Sequence, residues 1–153
     1  MRIVVHGTPA PQGSKKFVGM RAGHAVLVES SKKVGPWRKA VVAAASSAIC
    51  MAADAAGRFR AFSCPLRVWM TFYLVRPKDH YRSGKFSHML RDDAPIHPSV
   101  YPDVSKLARS TEDALTDAGV WLDDAQVVTY AVLEKRYATA EFAPGAVITI
   151  EKF

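Results

Sequence analysis

Residues 102–128 read Pro102-Asp103-Val104-Ser105-Lys106-Leu107-Ala108-Arg109-Ser110-Thr111-Glu112-Asp113-Ala114-Leu115-Thr116-Asp117-Ala118-Gly119-Val120-Trp121-Leu122-Asp123-Asp124-Ala125-Gln126-Val127-Val128. Leu107, Thr111, Ala114, Leu115 and Ala118 recur at i, i+4, i+7, i+8 and i+11, which is one apolar face of a helix. The pattern stops at Gly119, so the spacing predicts a helix over 104–118. Asp103, Lys106, Ser110 and Asp113 fall at i, i+3, i+7 and i+10 and share the opposite face. A turn through Asp123 and Asp124 then leads into a strand near 126–136, with a second strand near 145–152.

Working outward, residues 64–75 are rich in β-branched and aromatic side chains and end at Arg76-Pro77, as a central strand would. The alanine-rich run from Pro36 to about Ala56, closed by Gly57 and capped by Ser30 or Ser31, predicts a first long helix. Residues 2–7 form a short strand, and the apolar patches from Phe17 to Val28 around Arg21-Ala22-Gly23 form a hairpin. Residues 76–102, with His80, His88, His97 and four prolines, have no sustained period and read as a long functional loop. The order β, hairpin, α, β, loop, α, β, β gives an α+β fold: a small mixed sheet of four to five strands with two helices packed on one face, in one domain over 1–153.

Composition narrows the function. Of the 153 residues 49% are hydrophobic, which is ordinary for a globular domain and enough to fold without disulfides or a structural metal. Cys50 and Cys64 lack CxxC spacing and read as buried hydrophobes in a reducing compartment. Nothing resembles a secretory leader or a membrane span, so the expectation is a cytoplasmic protein with no membrane partner. The Gly13-Ser14 turn lacks a phosphate-loop pattern, which argues against a nucleotide cofactor.

The net charge of +7 is uneven: residues 1–40 carry eight basic side chains and one acid, and 111–153 three basic and eight acidic. Basic residues forward and acids behind fit a polyanion surface around an acidic spot, and equally a solvated face kept for solubility. Lys15, Lys16, Lys32, Lys33, Arg38, Lys78, Arg82 and Lys85 are candidate phosphate contacts. The three loop histidines match no zinc spacing and receive no ligand role. Trp37, Trp69 and Trp121 read as core anchors.

Two acidic clusters at a helix start and a strand entrance have the composition of a phosphodiester-cleaving site. Carboxylates hold a hard divalent cation, a lysine or arginine neutralises the leaving oxyanion, and a helix start points backbone donors at a phosphate. Taken singly, Asp103 also suits an N-cap, Asp113 and Asp117 exposed helix charges, and Asp123-Asp124 an Asx turn.

The elements Pro102-Asp103-Val104-Ser105-Lys106-Leu107, Asp113-Ala114-Leu115 and Asp123-Asp124-Ala125-Gln126-Val127 resemble the RusA family of Holliday-junction resolvases. Weaker likenesses are Pro9-Ala10-Pro11-Gln12-Gly13-Ser14-Lys15, Trp37-Arg38 and Arg76-Pro77-Lys78-Asp79-His80-Tyr81. The resemblance implies a homodimeric, magnesium-dependent endodeoxyribonuclease, manganese being an alternative ion. It acts on four-way DNA junctions by paired symmetric nicks, in recombination and repair, in a bacterial, phage or prophage setting. It further implies Asp103 and Asp124 as catalytic metal-binding carboxylates, Asp123 as ligand or support, Arg109 as a basic residue important for cleavage and Lys106 facing the phosphate backbone. Ser105 stands where the family pattern has its second aspartate, which removes one negative charge from the metal position. That departure motivates the alternative of a non-catalytic or weakly catalytic branched-DNA-binding protein. A basic protein-interaction module is a third and more distant reading.

Overall fold

Side chains alternate along Leu66–Leu74: Leu66, Val68, Met70 and Phe72 are fully buried, and Arg67, Trp69 and Thr71 are not. That period of two makes it the central strand of a sheet covered on one face. The computed structural model describes residues 1–13, 15–21, 24–29 and 32–153, without the side chains of 15–18, 21 and 24–29. In chain order the elements are β1 Arg2–His6, β2 Lys15–Arg21, β3 His24–Glu29, α1 Val34–Ala52, β4 Leu66–Leu74, α2 Val104–Asp117, β5 Val127–Tyr137 and β6 Gly145–Lys152.

The sheet has the order β1-β6-β4-β5, with β4 and β5 parallel and the other pairs antiparallel. This is the expected α+β architecture with four strands. The expected hairpin exists but stands apart, because β2 and β3 pair only with each other, Arg21 opposite His24. Ile3 and Val5 of β1, Ile148 and Ile150 of β6 and the inward residues of β4 form one apolar cluster with Trp37 and Val41 of α1 and Leu107 and Leu115 of α2. Both helices therefore cover the same face. No helix among the described residues is long and apolar enough to cross a membrane.

Several expectations are corrected. Helix α1 starts at Val34 after Lys33 and ends at Ala52, so neither Ser30 nor Ser31, which lie outside the described residues, is its N-cap. Its early end follows from Asp54, whose carboxylate accepts from the backbone N–H groups of Ala56 and Arg58 and builds a turn in place of further helix. Cys50 is exposed and Cys64 half-buried, both as free thiols, so Cys50 is not a core residue. Trp37 and Trp121 are buried as expected, but Trp69 is absent from the core, because its odd position in β4 turns it to the face without helices.

Gly145 shows how closely β1 and β6 approach. A Cβ there would lie 1.9 Å from the Val5 carbonyl oxygen, a backbone atom that cannot move without opening the strand pair. Gly145→Ala should cost about 2 kcal/mol or more of stability in urea unfolding; a loss below about 0.5 kcal/mol, within the range of an ordinary surface substitution, would contradict this register.

Candidate active site

The rotation of α2 decides which of its side chains meet solvent. Trp37 Nε1 donates to Thr111 Oγ1 at 3.1 Å, and the Thr111 hydroxyl donates to the Leu107 carbonyl at 2.9 Å. Ser110 Oγ donates to the Ala10 carbonyl at 2.6 Å, and both hydroxyl residues are fully buried. Ser110 therefore does not share the exposed face with Asp103, Lys106 and Asp113 as the periodicity predicts. It sits at the edge of the buried arc and receives the extended segment around Ala10, helped by Gln12 N–H donating to the Lys106 carbonyl at 2.9 Å.

The remaining surface of α2 carries two polar stripes. Arg38 of α1 reaches Asp113 at 3.4 Å and Asp117 at 2.9 Å, so this stripe joins the helices. The other holds Ser105, Arg109 and Glu112 at i, i+4 and i+7, with Ser105 and Arg109 exposed and Glu112 half-buried. Asp103 occupies the N-cap position of α2, yet its carboxylate makes no capping hydrogen bond. It pairs instead with Lys106 at 3.0 Å, where both side chains are more than half exposed.

The Asp123-Asp124 turn is fixed from both sides. Asp123 accepts from Ala125 N–H at 2.8 Å and caps a single 3₁₀ turn. Gln126 Oε1 accepts from the N–H groups of Leu122 and Asp123, and its Nε2 donates to the carbonyls of Phe62 and Cys64 at 3.0 and 3.1 Å. Gln126 belongs to the motif, though periodicity assigns it no role; its half-buried amide is the clamp that sets the turn. The carboxylate of Asp124 accepts no hydrogen bond among the described residues and is exposed.

Strand β5 aims a further group here. Its pairing with β4 slips at Val128 and again at Ala131, so Tyr130 falls opposite inward-facing Val68 and Leu133 opposite Met70. The two bulges bring Tyr130 onto the helix-bearing face and then restore the phase. Its hydroxyl donates to Glu112. Burial holds the Glu112 carboxyl above its ordinary range; Asp124 and Asp113 add to the rise, while the Tyr130 hydrogen bond and Arg109 oppose it. The Tyr130 phenol is likewise raised, first by burial and then by Glu112 and Asp124. Glu112, Tyr130, Arg109 and Asp124 thus form one electrostatic neighbourhood.

Among the described residues no three Asp, Glu, His or Cys side chains gather closely enough to hold a metal ion. Asp103, Ser105, Asp123 and Asp124 do not build a closed cage. What they offer is two exposed carboxylates, Asp103 and Asp124, neither of them used as a cap. A hard divalent cation does not require a closed cage, because one or two carboxylates with water and substrate phosphate can complete its shell.

Of the candidate phosphate contacts, Lys32, Lys33, Lys78 and Lys85 are exposed, and Arg82 pairs with Asp92 at 2.7 Å. Arg38 is committed to Asp113 and Asp117. The side chains of Lys15 and Lys16 lie outside the described residues. His88 and His97 are exposed, and His80 packs edge-on against Tyr137 with ring centroids 5.5 Å apart. An apolar cavity of about 250 Å³ between Pro9, Val75, Val100, Tyr101 and Tyr137 adjoins the start of α2.

An α+β domain with an exposed Asp103–Lys106 pair at the start of α2, and with Arg109 and Asp124 beside Glu112 further along it, has groups of the kind a nucleic-acid phosphodiesterase uses. The chain belongs to the RusA family of Holliday-junction-resolving endodeoxyribonucleases: the family profile, Endodeoxyribonuclease RusA, matches residues 6–151. It is an enzyme that hydrolyses phosphodiester bonds in DNA. No curated protein matches the chain.

The raised Glu112 sets a pH dependence with a definite sign. The folded chain holds this proton more tightly than the unfolded chain does. Its stabilising contribution is complete below the ordinary value of 4.5 and is lost as pH rises through the raised folded-state value. Glu112→Gln keeps an acceptor for Tyr130 and removes that loss. Urea midpoints should shift in favour of the variant relative to native between about pH 4.5 and pH 7; an unchanged difference would contradict the placement of Glu112.

Proposed function

We propose that the chain is a magnesium-dependent resolvase that nicks four-way junctions at symmetric positions, with Asp103, Asp124, Arg109 and Lys106 as its catalytic residues. The observation that carries this reading is Asp103, a carboxylate held at a helix start, exposed, free of capping and matched with a lysine at 3.0 Å. A surface aspartate at that position ordinarily caps the helix. Here the lone pairs remain available, and the backbone donors of the first turn point toward any phosphate drawn in.

Asp103 and Asp124 would hold the metal, with Asp123 and Ser105 beside them; manganese is an alternative ion. A bound divalent cation would neutralise charge on the scissile phosphate and activate the attacking water. Arg109, on the exposed stripe of α2, meets the charge that develops on the phosphate and the leaving oxygen. Lys106 orients the Asp103 carboxylate and faces the backbone. In-line attack leaves a 5′-phosphate and a 3′-hydroxyl. Lys15, Lys16, Lys32, Lys33, Lys78, Arg82 and Lys85 position the arms through phosphate contacts, so affinity falls steeply with salt. A homodimer suits the substrate, since paired nicks across a two-fold symmetric junction require two sites related by a dyad.

Ser105 supports a second reading, in which the chain binds branched DNA and cleaves it weakly, because a neutral hydroxyl stands at a metal position. The native chain, Asp103→Asn and Ser105→Asp should be compared on a synthetic mobile four-way junction with magnesium and with manganese. Native protein should cut, Asp103→Asn should cut at least about 100-fold more slowly, and Ser105→Asp should gain rate. Gel shifts without product from the native chain, with cleavage only from Ser105→Asp, would establish the binding reading instead.

A further inference from the structure

We propose that Lys135 is a positioning residue that sets Asp103 through the Val100 and Pro102 carbonyls. The inference rests on the nuclease reading above, and it concerns a residue outside the expected site. Lys135 lies on β5 opposite Phe72 of β4, at the same parity as Leu133 and Tyr137, so its side chain emerges on the helix-bearing face. A half-buried ammonium there needs partners. No carboxylate among the described residues pairs with it. Its Nζ donates instead to the Val100 carbonyl at 2.6 Å and the Pro102 carbonyl at 2.8 Å.

The segment that it holds has few other anchors. Pro98 and Pro102 have no N–H to donate. Among the described residues, the further backbone hydrogen bonds beside this turn are local: Ser99 N–H to the His97 carbonyl at 2.9 Å and Leu107 N–H to the Asp103 carbonyl at 3.1 Å. Among the described residues no other hydrogen bond ties residues 100–102 to the body of the protein. Strand β5, in contrast, is registered against β4 from Leu66↔Val127 to Leu74↔Tyr137. Lys135 thus transmits the rigidity of the sheet to the residue immediately before Asp103. Charge-assisted donation to carbonyls is short and directional, which is what fixing a functional carboxylate within about 0.5 Å demands. A surface lysine placed for solubility would extend into water.

The test compares full-length native protein with Lys135→Met, which keeps the stem and removes the donors, and Lys135→Arg, which keeps charge and donors. Three quantities are read: the junction dissociation constant by gel shift, the single-turnover cleavage rate at saturating protein, and amide hydrogen exchange of residues 96–104. Lys135→Met should bind the junction within about twofold of native and cleave it at least about tenfold more slowly, and its 96–104 segment should exchange faster while the β4 and β6 amides stay unchanged. Lys135→Arg should recover most of the rate. Native cleavage and native exchange in Lys135→Met would overturn the proposal. A parallel loss of affinity and rate with native exchange would also overturn it, making Lys135 a phosphate contact. If the native chain cuts no junction, the nuclease reading fails, and the exchange comparison still decides whether Lys135 holds the turn.

Discussion

Two buried hydroxyls hold the candidate site in place. Thr111 receives the Trp37 indole N–H and donates to the Leu107 carbonyl, and Ser110 donates to Ala10. Apolar packing alone tolerates some rotation of a helix, because Leu and Ala contacts are not directional. Hydrogen bonds from fully buried donors are directional and costly to break. They lock α2 at one angle, so that Ser105, Arg109 and Glu112 face outward and Asp113 and Asp117 meet Arg38. A small rotation would leave the Trp37 N–H unsatisfied in the core.

Control of the surrounding groups is concentrated at the two ends of that helix. At its start, Lys135 grips the carbonyls of Val100 and Pro102, and Lys106 pairs with Asp103. Beyond its end, Gly119 at φ 74° turns the chain, and the Gln126 amide clamps the Asp123-Asp124 turn against Phe62 and Cys64. Between them, the bulges of β5 bring Tyr130 to Glu112. The candidate groups Asp103, Arg109 and Asp124 are exposed, whereas Lys135 and Gln126, which hold the segments around them, are half-buried.

Much of this was legible in the residues. The apolar repeat from Leu107 to Ala118 predicted α2 nearly to its ends, and the β-branched run before Arg76-Pro77 predicted β4. Periodicity could not see that Ser110 is buried, because a hydroxyl at the edge of the apolar arc is decided by whether a carbonyl comes to meet it. Nor could it detect the bulges at Val128 and Ala131, which depend on how β4 and β5 pair. Aromatic content alone does not say which face of a strand is covered, and Trp69 lies on the face of β4 without helices. Lys135 and Gln126 escaped for a related reason: as isolated residues they look like surface polar groups, and their partners lie about 30 and 60 residues away.

The central claim is that the outward stripe of α2 cleaves DNA instead of only holding it. Arg109 tests this most directly, since it is exposed, its side chain makes no hydrogen bond or ion pair among the described residues, and it sits between Ser105 and Glu112. Single-turnover cleavage of a fixed four-way junction by Arg109→Ala, at protein concentrations that saturate binding, should fall by about 100-fold or more, with junction affinity within a few-fold of native. Cleavage at the native rate would contradict a cleaving centre on this face.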